Sequence, residues 1–230
     1  MSIAGTLGRA VLAAASAVVL FEAVLFFRIG TWVMFDPPTT SFMHAREIAL
    51  DAKTPGAQLK HVWVPYDRIA RPVKRAVIAA EDSNFAEHRG IDIEALERAY
   101  EKNRRRGRVV AGGSTITQQL AKNLFLSGER SYVRKAQEFI VTFMLEFWCT
   151  KQRIFEIYLN VVEWGEGVFG IEAAAQHYYR VSADRLNAMQ AAKLAAMLPN
   201  PRFFDRNRFH PQLLRRAATV LARMNAAQLP

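Results

Sequence analysis

Glu81 opens a polar run, EDSNFAEHRG at 81–90, and two further polar blocks follow it, GGSTITQQLAKN at 112–123 and RKAQE at 134–138. Together they bring two carboxylates, Glu81 and Glu138, and four cations, Lys122, Arg130, Arg134 and Lys135, into one stretch of an otherwise apolar chain. A carboxylate can take a proton from an attacking alcohol, and fixed cations can hold the charge that builds on a multiply charged leaving group. That pairing suits the breaking of a bond to a diphosphate, so the first expectation is an enzyme.

Each block also has a plainer reading. Val73, Ala76, Val77 and Ala80 recur at helical spacing, which predicts an apolar stripe with Glu81 at its edge. A carboxylate there is commonly a surface or capping group; partial burial would instead raise its pKa and fit it to act as a base. His88 and Arg89 read as structural supports for the loop that follows. Gly112 and Gly113 let the backbone turn ahead of a helix start, where free N–H groups favour anions. Ser114, Thr115, Thr117, Gln118 and Gln119 supply neutral donors and acceptors for sugar hydroxyls or phosphate oxygens. Lys122, seven residues after Thr115, returns to the same face, where it reads equally as a solvated lysine. Arg134 and Lys135 lie four and three residues before Glu138, and on spacing alone a surface salt-bridge ladder is the simpler reading.

The elements that must position these groups are mainly helical. Asp92 is a cap for a helix ending in Asn103-Arg104-Arg105-Arg106-Gly107-Arg108, where basic residues suit the dipole. Thr115 to Gln118 fits a capping box for a helix to Leu124, and Ser131 caps a long helix to about Thr150. Helical character continues over 151–160, 170–179, 183–198 and 211–226, and Val62, Trp63 and Val64 suggest a short strand. Tyr158, Asn160, Gly170 and Ala174 read as scaffold. Near the N-terminus, Ala10 to Phe27 is apolar except for Ser16 and Glu22. At about 1.5 Å per residue this run, extended through Phe35, crosses a hydrocarbon core of about 30 Å, with Trp32 at the interface. It exceeds the apolar core of a signal peptide and lacks a small-x-small cleavage site, so an uncleaved anchor is expected. The expected division is 1–35 head and anchor, 36–56 linker around Pro37-Pro38, and 57–230 catalytic domain.

Half of the 230 residues are apolar, which excludes a disordered chain, and 31 basic against 21 acidic residues give a formal charge of +10. Such an excess points to an anionic contact: nucleic acid, acidic lipid or a phosphorylated substrate. One cysteine, Cys149, excludes an internal disulfide, and the five histidines show no zinc-ligand spacing.

Read together, the blocks closely resemble the peptidoglycan glycosyltransferase family, which includes the glycan-polymerising domain of bifunctional penicillin-binding proteins and monofunctional transglycosylases. The resemblance runs from about residue 65 to 200 and includes KQRIFEIYLN at 151–160 and GEGVFGIEAAAQHYY at 165–179. With no transpeptidase domain after Pro230, the monofunctional type is expected. The resemblance implies a lysozyme-like helical domain with a small membrane-apposed lobe, and lipid II as substrate. Glu81 would be the base that deprotonates the GlcNAc 4-hydroxyl; the oxygen attacks MurNAc C1, inverts it and expels undecaprenyl diphosphate. Lys122 and Arg130, with Arg134 and Lys135 alongside, would stabilise that diphosphate, and Glu138 would be the second acidic residue. Ser114, Thr115, Gln118, Gln119 and Asn123 would line the donor site. No obligatory cofactor is implied, a divalent cation (Mg or Mn) being an optional assistant at the diphosphate.

Implied partners are lipid II, the growing glycan, membrane lipids and cell-wall synthesis or division proteins, with no nucleic acid. The implied location is the bacterial inner membrane, single-pass, with the catalytic domain periplasmic. Two rival readings stand beside this one. A muramidase or lytic transglycosylase would need an acid for a sugar leaving group rather than four cations. A tethered nucleic-acid binder would use Arg104, Arg105, Arg106 and Arg108, a short run without interleaved aromatics.

Overall fold

The computed structural model of the chain describes residues 3–108, 112–126, 129 and 131–230. Among them are eleven α-helices and one three-stranded sheet, and 67% of the structure is helical, in keeping with the mainly α expectation. Short polar side chains fix most helix starts, as the sequence predicts. Asp92 accepts from Ala95 N at 2.7 Å to start α4 (Ile93–Arg106), and Gly107 ends it in the left-handed conformation. Thr115 and Gln118 cap α5 (Ile116–Phe125) reciprocally. Ser131 accepts from Arg134 N to start α6 (Tyr132–Trp148), and Thr150 does the same for α7 (Lys151–Val161) through Arg153 N. Each such cap contributes about 1 kcal/mol and places the helix register.

Two sets of helices surround the functional blocks. α5 packs on both α6 and α7, while α3 (Arg71–Glu81) packs on α9 (Ala188–Met197) and α11 (Pro211–Arg223). The core between them is fully buried and partly aromatic, with Ile78, Phe85, Leu120, Phe155 and Trp164 at 0% exposure. α8 (Ile171–Tyr179) leans on the small sheet, and α10 (Pro201–Arg206) packs on one of its strands.

The first helix, α1 (Ile3–Thr31), contains the one segment among the described residues that is long and apolar enough to cross a membrane, Thr6–Thr31. Its last turns rest on α6. Phe26 meets the rings of Phe147 and Trp148, and Gly30 approaches Trp148 so closely that an added Cβ would lie 3.1 Å from the indole. Gln137 donates to Glu22 at 3.1 Å, so this carboxylate has a partner. Trp32 then stacks on Phe125, and Arg153 donates to the carbonyls of Trp32 and Phe35 and to Asp36. α6 is therefore held between α1 on one side and α5 on the other.

Several local expectations differ from the structure. Ser41–Asp51, inside the stretch expected as linker, forms α2, capped by Thr40 and packed on α5. The strand expected at Val62 to Val64 is instead Lys60–His61 (β1). Val64 pairs its N–H and carbonyl with the side-chain amide of Asn160, at 2.8 and 2.9 Å, so an amide replaces a neighbouring strand there. β1 runs parallel to β3 (Val168–Phe169), which pairs antiparallel with β2 (Glu163–Gly165). The helix expected over 183–198 begins only at Ala188, where Asn187 and Gln190 form a capping box.

Candidate active site

Glu81 is the last residue of α3 because Asp82 leaves the helical conformation, at φ −161° and ψ 79°. The Asp82 carboxylate then joins three elements. Its Oδ2 accepts from the backbone N–H of Ile116 at 2.9 Å, the first residue of α5, and His88 Nε2 lies 3.0 Å from Oδ1. Thr115 strengthens the junction by donating to the carbonyl of Gly90 at 2.6 Å. Gly90 itself sits at φ +84°, and a Cβ there would come within 2.7 Å of Thr142 on α6, so backbone conformation and space both require glycine. Below this junction Glu146 accepts from Thr117 at 2.6 Å and from Lys151 at 2.7 Å, tying α5, α6 and α7 together.

With α5 docked in this way, Gln119 reaches back to the base candidate. Its Nε2 donates to Glu81 Oε2 at 2.8 Å, and its Oε1 accepts from Tyr158 on α7 at 3.0 Å. Glu81 is partly exposed at the residue level, yet its carboxyl is turned into the protein, where Gln119 meets it. Burial raises its pKa, and Asp82 adds to the rise; the Gln119 donor and the cations Arg216 and Lys122 oppose it. The carboxyl also lines a cleft of about 150 Å³ with Ser83, Asn84, Ser114, Gly112 and Gly113.

Glu138 is buried at 3% exposure, which the surface-ladder reading of its spacing does not predict. Arg134 donates to it at 2.7 Å, and Lys135 donates to its other oxygen. Two cations against one carboxylate leave positive charge unneutralised. Lys122 links this group to Glu81. Burial lowers its pKa, Arg134 and Lys135 push it down further, and the carboxylates Glu138 and Glu81 both pull it up. One lysine thus feels the charge of both carboxylates.

The remaining sequence candidates divide by position. Ser114 is exposed at the cleft, whereas Thr115 and Gln118 are buried with their side chains engaged in the helix cap. Gln119 is engaged by Glu81 and Tyr158, and Asn123 is buried on α5. Arg130 lies outside the described residues. Sequence reasoning passed over Arg216 and Arg223 of α11, which line a second cavity of about 190 Å³ that also ends on Glu81. Their signal is slight: seven residues apart, they share one face of an ordinary amphipathic helix. Among the described residues no group of three acidic, histidine or cysteine side chains could hold a metal ion, and Glu138 is already bracketed by its own cations. These donors do not form a protein-held site for a divalent cation.

The transglycosylase family model matches residues 49–225. Curated proteins named biosynthetic peptidoglycan transglycosylase from Janthinobacterium sp. (strain Marseille) and from Herminiimonas arsenicoxydans are each 63% identical over 213 residues, 93% of this chain and 92% of theirs. The protein of that name from Burkholderia pseudomallei (strain K96243) is 58% identical over 203 residues, 88% of this chain and 79% of its own.

Proposed function

The chain belongs to the transglycosylase family, and from that premise we propose that it is a peptidoglycan glycosyltransferase of cell-wall synthesis that polymerises lipid II. What carries this reading is the electrostatic coupling of Lys122 to both carboxylates, Glu81 and the Glu138 that Arg134 and Lys135 hold.

The chemistry follows from the charges. A carboxylate whose ionisation is disfavoured by burial is a stronger base than an exposed one, so Glu81 is suited to take the proton of an attacking GlcNAc 4-hydroxyl. The hydroxyl oxygen bonds to C1 of the MurNAc that ends the growing chain. The bond from C1 to the diphosphate oxygen breaks on the opposite face, inverting the carbon from α to β. The electron pair departs with undecaprenyl diphosphate, and Lys122, Arg134 and Lys135 meet that charge at fixed positions, where little reorganisation is needed. Glu138 holds Arg134 and Lys135 in place and limits their mutual repulsion. Ser114 and the glycines at the cleft leave room for a sugar close to the base.

A lipid-linked substrate also accounts for the apolar N-terminal helix. Thr6–Thr31 serves as a single-pass anchor in the bacterial inner membrane, with the catalytic domain on the periplasmic side where glycan is assembled. A cleaving enzyme on a related scaffold is the weaker reading, because clustered cations suit a diphosphate leaving group and a sugar leaving group has no use for them.

The test is direct. The purified chain in detergent or vesicles, given lipid II, should form glycan strands and release undecaprenyl diphosphate, and Glu81→Gln should abolish this with the fold intact. Cleavage of mature glycan without polymerisation, or a Glu81→Gln variant of near-normal rate, would overturn the reading.

A further inference from the structure

We propose that Tyr158 is a positioning residue for the base: its hydroxyl fixes the side-chain amide of Gln119 in the one orientation that presents an N–H to Glu81. The inference rests on the reading of Glu81 as the base and adds a third residue to it. The sequence places Tyr158 among the scaffold residues, and its ring is indeed at 0% exposure. A phenylalanine would fill that space, so the buried hydroxyl calls for its own explanation.

Three helices contribute one group each. Tyr158 on α7 donates to Gln119 Oε1 at 3.0 Å, and Gln119 on α5 donates to Glu81 Oε2, at the end of α3, at 2.8 Å. A glutamine amide has a donor end and an acceptor end, and only the hydrogen-bond network decides which way it points. The ionised base can only accept, so a flipped amide would set its carbonyl against the carboxylate. Tyr158 reinforces that preference: a flipped amide would turn its N–H toward the phenol oxygen and leave the buried phenol proton without the acceptor it now has at 3.0 Å. Burial, with Glu81 and Asp82 nearby, holds its pKa well above 10, so it remains a donor wherever the enzyme works.

The other groups around Glu81 cannot replace this contact. Asp82, its neighbour in sequence, repels it, while Lys122 on α5 and Arg216 on α11 attract it through charge alone. Arg223, from α11, shares the cavity at Glu81, and Ala196 of α9 and Pro199 just beyond it bring no charge to it. Gln119 is thus the side chain that orients the carboxylate as well as stabilising its charge, and Tyr158 orients Gln119.

The experiment is a pH series of lipid II polymerisation by the full chain carrying Tyr158→Phe, Gln119→Met or both, with the Glu81 carboxyl titration followed by carbon NMR. Tyr158→Phe should lower kcat about fivefold, the effect of one hydrogen bond between neutral groups, with KM little changed because the ring is sealed from substrate. The acid limb of its pH profile and the carboxyl titration should both move to higher pH. Gln119→Met should do the same, and adding Tyr158→Phe to it should change neither further. Loss of packing alone would lower the melting temperature and leave both pH readouts in place, which overturns the proposal; so would additive effects in the double variant. Should Tyr158→Phe not fold, a Gln119→Met variant with an unmoved Glu81 titration overturns it equally. If Glu81→Gln polymerises normally, the base reading falls while the carboxyl titration still decides the relay.

Discussion

Arg134 Nη1 lies 2.7 Å from Glu138 Oε2 on the same helix, and the carboxylate it meets is 3% exposed. A pair of this kind in water contributes a few tenths of a kcal/mol, but breaking it in a buried setting leaves charge without a partner. Glu138→Ala leaves Arg134 and Lys135 facing one another beside Lys122. We expect it to cost roughly 3 kcal/mol, at the low end for a buried pair because Lys135 keeps water contact. The melting temperature should then fall by about 10 °C in a chain of this size. Glu138→Gln should lose less stability and still lose activity, since the cations are no longer held by charge. A variant lacking this carboxylate that melts with the wild type would show the group to be a solvated ladder.

Glu81 should limit activity at acid pH and cost stability at neutral pH. Its folded-state pKa is raised by burial, so folding favours the protonated form more than the unfolded chain does. Stability from this site is intact below the unfolded pKa and is lost as pH rises through the folded one. Turnover has the opposite dependence, because the base must be ionised, and kcat/KM should fall as pH drops through that raised pKa. Glu81→Gln should therefore be inactive and melt a few degrees above the wild type at pH 7, with the gap closing by about pH 4, where an ordinary carboxylate protonates. A variant that melts lower at pH 7 would show that burial does not penalise this carboxylate.

The split between what the sequence reveals and what it hides follows the range of the forces involved. Asp92, Thr115, Ser131 and Asn187 act on backbone groups three residues away, so the starts of α4, α5 and α6 are readable directly, and even the missed start of α9 has a local signature. The sheet is not readable, because Lys60 pairs with Val168 across more than a hundred residues and each strand is only two or three residues long. α2 is hidden behind Pro37 and Pro38, which dominate the reading of the segment, although Thr40 caps it. Glu138 looks the same in sequence whether its helix face is wet or dry; contact of α6 with α5 and α1 decides that it is dry. The Tyr158 hydroxyl finds its partner on another helix, and no spacing rule covers such a contact.

Lys122 should set the alkaline side of the pH profile. Burial and the neighbouring Arg134 and Lys135 lower its pKa, so it sheds its proton at lower pH than an ordinary lysine. The charge that meets the leaving diphosphate is lost with it. Lys122→Ala should reduce kcat by about 10²–10³, the effect of removing one preorganised stabiliser of developing charge. Lys122→Arg is the more informative variant, since a guanidinium stays charged throughout. Its rate at neutral pH should suffer from altered geometry, and its alkaline limb should move up or vanish. An alkaline limb unchanged in Lys122→Arg would assign that titration to another group.

Asp82 is predicted to matter through α5 rather than through substrate. Its carboxylate accepts from Ile116 N at 2.9 Å and contacts His88 Nε2 at 3.0 Å, so Asp82→Ala leaves a helix N–H and a buried imidazole nitrogen without partners. Two such losses should cost about 2–4 kcal/mol. The start of α5 is then freed from the end of α3, and Gln119, one turn further on, no longer holds Glu81. Activity should fall with stability, and adding His88→Ala should cost much less than it does alone, because both changes break one junction. Additive losses in the double variant would mean that the two residues support the fold separately, and full activity in Asp82→Ala would mean that α5 keeps its place without this contact.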